Sequence, residues 1–346
     1  MSIPVRNVYY MLCYAWEHWA EGERVSVDDV DFDRTQDLLA HILAEGTARL
    51  LKRGLDRGYI PIADDVQGIR GKLDFANTTK RALLARAQTH CSFDELRHDV
   101  LHNRILKATL GRLLRLDALD DDVRGRVARV HRRLDAVSEV PITRKDFRSV
   151  QLHRNNRFYD FLLRLCLLIH DQLIPDPEAG NGRTRFRDFR DDEARMWQVF
   201  EQFVHNFFRR EQQEFRVRAQ RVVAWHDVHA EPDHLARLPE MRPDLVLEGA
   251  DRCIVLDTKF YKEALKGRGA VAKVNSGHLY QLFTYVHNSA AAHGNQPAHE
   301  GMLLYPVVRD TFAFDYRIAG FRFQVRSIDL GQEWRKIHED MLALLN

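Results

Sequence analysis

Sulfur and net charge are both in short supply in this chain, and each shortage excludes a class of protein. The four cysteines, Cys13, Cys91, Cys166 and Cys253, lie far apart, with no paired spacing that could form a zinc knuckle or a redox couple. A disulfide-stapled scaffold is excluded, and a reducing cytoplasmic setting is expected. The 52 Lys+Arg nearly cancel the 50 Asp+Glu, leaving +2, too little for a protein that coats nucleic acid by bulk charge. No uncharged run reaches the ~20 residues that span a bilayer; the most apolar stretch, residues 161–169, contains Arg164 and reads as a buried helix. The opening residues lack a basic segment followed by an apolar one, so neither a secretory leader nor a membrane association is expected. A nucleotide-binding loop is missing too. Gly68-Ile-Arg-Gly-Lys72 spaces its glycines too closely and continues into Leu73, where a phosphate loop needs Ser or Thr. No nucleotide is expected to bind this chain alone, so a motor for any energy-driven step would have to come from another chain.

What is present suffices for two cores: 346 residues, 45% hydrophobic and 29% charged, a composition that folds without metal or disulfide. The first half is mostly helical, with apolar residues at three- and four-residue spacing over residues 8–19, 34–51, 94–116 and 121–137. Short β pieces at residues 60–63 and 69–75, around Pro61, Gly68 and Gly71, interrupt it. A helix-rich domain over residues 1–150 carrying a small β-element is expected. Beyond it come a buried helix at 158–173, a loop with Pro175, Pro177, Gly180 and Gly182, and an amphipathic helix at 192–213. In that helix Met196, Phe200, Phe203 and Phe207 share one face. A strand at 215–225, a hairpin at 242–261, a helix at 276–288, a strand at 302–308, further strands to 328 and a helix at 334–345 complete an α-β-β-β-α-β core. The fold class is mixed α/β (α+β), the second domain covering residues 151–346. Arginines gather at 183–190 and again at Arg209, Arg210, Arg216, Arg218 and Arg221. They form either a solvated face or a local nucleic-acid contact.

The chemistry concentrates in the hairpin. If Ala250 and Asp251 make its turn, Gly249 faces Arg252, and counting outward sets Asp244 opposite Asp257. Opposed residues have Cβ atoms roughly 5 Å apart, close enough for two carboxylates to grip one small cation. Side chains alternate along a strand, so Asp257 and Lys259 point one way and Thr258 the other. Two carboxylates and an ammonium at the end of the apolar run 253–256 are costly unless a cation neutralises the acids. This set suits phosphodiester hydrolysis: a divalent cation polarises the phosphoryl oxygen and acidifies a bound water, and the lysine offsets developing charge. Mg²⁺, with Mn²⁺ as a substitute, fits an oxygen set with no His/Cys cluster. The expected metal ligands are Asp244, Asp257 and the Thr258 backbone carbonyl. Glu201, in the amphipathic helix ahead of the sheet, is a candidate third acid or a solvated helix glutamate. On the helix that follows, Gln281 and Tyr285 stand four apart on one face, either ordinary packing or an extension of the catalytic set. His226, His229 and His234 lack fixed ligand spacing and read as surface residues.

The order Asp…Asp-x-Lys followed by Gln281-Leu-Phe-Thr-Tyr285 resembles the PD-(D/E)xK nucleases, in particular the RecB-related group. Along nearly the whole chain the sequence resembles the McrC family, the nuclease subunits of McrBC modified-cytosine restriction systems. The segments that carry the resemblance are Ile3-Pro-Val-Arg-Asn-Val-Tyr-Tyr-Met-Leu-Cys-Tyr-Ala-Trp16, Gly68-Ile-Arg-Gly-Lys-Leu-Asp-Phe75, Phe93-Asp-Glu-Leu96, Asn103-Arg-Ile-Leu-Lys107, Leu238-Pro-Glu-Met-Arg-Pro-Asp244, Asp257-Thr-Lys-Phe-Tyr-Lys262, Leu279-Tyr-Gln-Leu282, Leu304-Tyr-Pro306 and Leu330-Gly-Gln-Glu-Trp334. The resemblance implies a Mg²⁺-dependent endonuclease whose motif matches Asp244, Asp257 and Lys259, with no secure counterpart for Glu201. It also implies a partner, a hexameric AAA+ GTPase ring of the McrB kind, and double-stranded DNA with modified cytosine as substrate. The first domain would then dock into the ring's pore and stimulate GTP hydrolysis, with Arg70, Lys72, Lys80 and Arg81 as candidate contacts. Two alternatives remain: a solitary RecB-like repair nuclease, and a non-catalytic activator that clamps the motor.

Overall fold

The computed structural model describes residues 3–19, 32–154, 156–175, 184–260, 273–294 and 297–346. The expected loop residues Pro177, Gly180 and Gly182, together with Arg183, Tyr261 and Lys262, lie outside them. The chain divides into two compact units, one of residues 34–187 and one of residues 1–33 with 188–346. This corrects the expected boundary at residue 150. Helix α1 (Val5–Ala15) buries nearly all of its surface, and the partners it needs come from the far end of the chain. Asn7 Nδ2 donates to the carbonyls of Leu330 and Gln332, each at 2.8 Å. Tyr10 stacks on Trp334 with ring centroids 4.9 Å apart. The opening motif and the Leu330–Trp334 motif are therefore two halves of one packing arrangement.

The inserted unit follows in chain order: α2 (Thr35–Arg53), β1 (Gly58–Gln67), β2 (Lys72–Leu73), α3 (Phe75–Lys80), β3 (Gln88–Arg97), α4 (Leu101–Leu114), α5 (Asp121–Arg132), α6 (Arg144–Ser149), α7 (Tyr159–Gln172), β4 (Leu173–Pro175) and β5 (Thr184–Phe186). Helices α2, α4, α5 and α7 enclose a core that includes Leu38, Leu43, Leu106, Leu110, Val127 and Leu165. The β-element is a three-stranded antiparallel sheet in the order β1-β3-β2. Its central strand, β3, covers residues 94–97, which the sequence pattern assigned to a helix. Phe93-Asp-Glu-Leu96 pairs with Tyr59–Ile62 across the ladder, so tertiary pairing overrides local periodicity. Below the sheet, Asn103 donates to the carbonyls of Asp56 (3.1 Å) and His98 (2.7 Å). Lys107 donates to those of Leu134 (2.8 Å) and Val137 (2.6 Å). The Asn103–Lys107 motif thus serves to satisfy buried backbone carbonyls.

The remaining elements are α8 (Glu193–Glu211), β6 (Arg216–Ala219), α9 (Pro232–Leu235), β7 (Leu245–Glu248), β8 (Arg252–Thr258), α10 (Ser276–Ala292), β9 (Ala298–Val307), β10 (Ala313–Ile318), β11 (Phe321–Asp329) and α11 (Trp334–Ala343). They build a six-stranded sheet in the order β10-β11-β9-β8-β7-β6. β8, β9 and β11 run parallel, and the strands outside them are antiparallel. β9 is buried along almost its whole length, as befits a central parallel strand covered on both faces; for the same reason its start was invisible to an alternation pattern. The strand expected over 215–225 is shorter, continuing only as a bridge from Val223 to Met241. On α8 the phenylalanines Phe200, Phe203 and Phe207 are fully buried, and Asn206 Nδ2 caps α1 by donating to the carbonyls of Tyr14 (3.0 Å) and Ala15 (3.2 Å). Helix α10 lies on the opposite sheet face, where Gly301 on β9 leaves room for Leu282. Among the described residues no helix is long and apolar enough to cross a membrane.

Candidate active site

The hairpin forms in the register that its sequence dictates. Gly249 N donates to the Arg252 carbonyl at 3.0 Å to close the turn, and a Cβ at Gly249 would collide with the Phe215 ring. Pairing runs from Glu248↔Cys253 to Leu245↔Leu256, and Asp244 and Asp257 are the residues that flank the last pair. The two acids differ in how they are held. Asp257 is 2% exposed, and the Lys259 ammonium forms an ion pair with it. Asp244 Oδ2 accepts from both the amide (2.7 Å) and the hydroxyl (2.6 Å) of Thr258. Thr258, directed by alternation away from Asp257 and Lys259, is thereby the clamp that holds Asp244 at the open end of the hairpin.

Lys259 is positioned from both ends. Its amide continues the β8–β9 ladder by donating to the Leu304 carbonyl at 2.9 Å, and its Nζ donates to Gln281 Oε1 at 3.0 Å. Gln281 Nε2 in turn donates to the Tyr285 hydroxyl at 2.7 Å. One helix face thus braces the ammonium, and Gln281 and Tyr285 join the same cluster as the two acids.

Glu201 arrives by a route that spacing alone did not reveal. Gln220, in a left-handed conformation (φ 42°) just after β6, donates its amide to the Asp244 carbonyl at 3.0 Å and its Nε2 to Glu201 Oε1 at 2.9 Å. Sequence reasoning missed Gln220; an isolated polar residue after a short strand gives no periodic signal.

The electrostatics are those of a site that lacks positive charge. Burial, and then the charge of Asp244, push Asp257 up to about 6, against the pull of Lys259. Burial raises Asp244 as well, opposed by the Thr258 hydrogen bonds and Lys259. Glu201 is raised by burial and by Asp244. A divalent cation would relieve all three. The donor set is hard oxygen throughout. Among the described residues no group of three or more His, Cys, Asp or Glu side chains is arranged to hold a metal. His226, His229 and His234 form no ligand cluster; His229 pairs with Asp227 at 3.1 Å.

Of the four residues suggested for docking, Lys72 lies on β2 and Arg70 just before it, whereas Lys80 and Arg81 end the helix α3 that follows. Arg70 lies over the Phe93 ring, 4.0 Å from its centroid, and Arg81 pairs with Asp65 at 2.6 Å. Lys72 and Lys80 are exposed.

The chain matches the family described as "McrBC 5-methylcytosine restriction system component" over residues 6–306. It is 31% identical to the "Type IV methyl-directed restriction enzyme EcoKMcrBC" of Escherichia coli K12, over 99% of this chain and 97% of that one. Its fold is similar, with a TM-score of 0.63 and 16% identity over 99% of this chain and 76% of the other, to a chain of the half-complex from the tetradecameric assembly of Thermococcus gammatolerans McrB AAA+ hexamers with bound McrC. By the extent of these matches the chain belongs to the family of McrBC restriction-system components.

Proposed function

We propose that this protein is the McrC-type endonuclease subunit of a GTP-dependent restriction system, cutting DNA that carries modified cytosine with Mg²⁺ held by Asp244, Asp257 and the Thr258 carbonyl. The observation that carries the reading is the hairpin end, where the buried Asp257 carboxylate, the half-buried Asp244 carboxylate held by Thr258 and a braced lysine meet. The succession of α8, β6, β7, β8, α10 and β9, with the short α9 between β6 and β7, supports reading this unit as the α-β-β-β-α-β core of a PD-(D/E)xK nuclease. When bound, the cation supplies Lewis acidity at the phosphoryl oxygen and a more acidic water. Asp244 and Asp257 orient it. The Lys259 ammonium sits where it can hold the attacking water and offset charge as the phosphorane forms, and Gln281 and Tyr285 keep Nζ in place. Glu201, tied to the hairpin through Gln220, would be the further acid on the α8 side.

The β-element is the proposed docking surface for the GTPase ring. Beside the basic residues, the segment from β1 to β3 exposes Tyr59 (75%), Ile69 (71%), Phe75 (70%) and Leu84 (63%), apolar side chains that a partner would cover. The test is plasmid cleavage with and without the motor, GTP, Mg²⁺ and cytosine methylation. Cutting that requires all four supports the assignment. Efficient cutting of unmodified plasmid by the chain with Mg²⁺ alone would instead identify a solitary nuclease.

A further inference from the structure

Three of the arginines that the sequence leaves unassigned, Arg209 on α8 and Arg218 and Arg221 beyond it, line one cavity in the sheet unit, about 850 Å³ in volume, with Glu248, Cys253 and His299 among its other residues. Its position follows from the register. Arg216↔Glu248, Glu248↔Cys253 and Cys253↔His299 are successive partners, so a single row crosses four strands. In-register partners, and residues four apart on a strand, share a face. The row therefore lies on the same face as Asp257, four residues earlier on β8, or about 13 Å at ~3.3 Å per residue. The chain links the two places directly. Gln220 bonds to Asp244 and Glu201, and the next residue, Arg221, pairs with Glu248. The left-handed turn at Gln220 sends one side chain to the Glu201 carboxylate and its neighbour into the cavity.

The lining favours an anion. Arg218, at 3.5 Å, and Arg221 share the single carboxylate of Glu248, leaving one positive charge uncompensated. Two guanidiniums carry about ten N–H donors, whereas a carboxylate offers about four acceptor sites. Arg209 adds a third guanidinium, paired with Glu17 at 2.8 Å. Cys253 and His299 do not make this a metal centre, since among the described residues no three such ligands are arranged around an ion.

We propose that this cavity receives a backbone phosphate of the DNA strand being cut, a few nucleotides from the scissile phosphodiester, with Arg218 and Arg221 as its donors and Glu248 as the brace that presents them. The inference rests on the nuclease reading of the Asp257 site and deepens it. It explains how a chain of +2 net charge gains a local grip on DNA, and it sets the strand's path along β7 and β8.

The test uses the full chain with a short fluorescent duplex in metal-free buffer, where binding is read by anisotropy and no strand is cut. Each phosphate contact contributes about 0.9 to the slope of log affinity against log salt. The Arg218→Gln/Arg221→Gln double variant should reduce the slope by about 1, since both arginines serve one phosphate, and weaken binding alike for all sequences. Glu248→Gln should tighten binding, which a purely structural role would not produce. Thermal unfolding of each variant controls for folding. An unchanged slope in the folded double variant overturns the proposal, as does absence of duplex binding by the wild type, or displacement of inorganic phosphate alone without any effect on DNA. The nuclease reading fails separately. Asp257→Ala should leave the slope intact and abolish cleavage in the presence of motor, GTP and Mg²⁺. If it still cuts, the site assignment falls while the slope data stand.

Discussion

Replacing Asp257 with asparagine should make the metal-free protein more stable, not less. Asp257→Asn imitates the protonated carboxyl, so its effect can be worked from the titration of the native group. Burial and the charge of Asp244 move Asp257 from 3.8 to about 6, roughly two pH units at about 1.4 kcal/mol each. The sign follows from linkage. An acid whose pKa is raised by folding contributes stability below its unfolded pKa, and that contribution is lost as pH rises through the folded value. The metal-free wild type should therefore lose on the order of 1–3 kcal/mol between about pH 4 and pH 6 and remain at that lower level at neutral pH. The asparagine variant should not. For a unit of this size about 1 kcal/mol corresponds to about 2–4 °C in Tm, so the variant should melt about 3–10 °C higher near neutrality. Mg²⁺ should then raise the wild-type Tm and leave the variant nearly unmoved. Scanning calorimetry across pH, with and without Mg²⁺, reads both effects. A variant that melts at or below the wild type in chelator at neutral pH, or equal stabilisation of both by Mg²⁺, would refute the reasoning.

Further outcomes follow from other parts of the molecule. Asp257→Ala should eliminate cleavage while still accelerating GTP hydrolysis by the motor, because the proposed docking residues lie in the other unit; loss of stimulation by folded protein would show that the nuclease unit also activates the ring. Charge reversal at Arg70 and Lys72 should weaken that stimulation and leave Mg²⁺-dependent stabilisation intact, as titrated GTPase assays and melting curves would reveal. Asn206→Ala removes the two bonds to the Tyr14 and Ala15 carbonyls and should cost about 2 kcal/mol, measured by denaturant titration. Asp99 is held well below the usual carboxylate range by Arg104 and by Ser138. Its stabilisation is present above the unfolded carboxylate pKa and is lost as pH falls toward the folded one. Asp99→Asn should thus be less stable than wild type at neutral pH, the difference vanishing in strong acid.

The hairpin of the candidate site was legible because two independent signals agree. The apolar run that ends at Asp257 and the turn around Gly249 each specify the same register, and a one-residue slip would turn every side chain over. Lys259, Gln281 and Tyr285 followed from strand and helix periodicity. Three features were not legible, each for a physical reason. The opening helix packs against residues more than 300 positions later, and no local pattern reports so distant a partner. Residues 94–97 carry a helix-compatible pattern that pairing with β1 overrides. Gln220 acts through a left-handed backbone turn that a non-glycine residue does not advertise. The arginine cluster lay between, visible as composition but given a location only by the four-strand row from Arg216 to His299.

The central claim is that the two carboxylates hold a divalent cation, and anomalous diffraction from crystals of the full chain soaked in Mn²⁺ tests it most directly. The account predicts a single strong peak between the Asp244 and Asp257 side chains, within coordination distance of both and of the Thr258 carbonyl, and no such peak in Asp257→Ala crystals. A fully occupied Mn²⁺ bound elsewhere in the sheet unit, with the hairpin end empty at saturating metal, would contradict it.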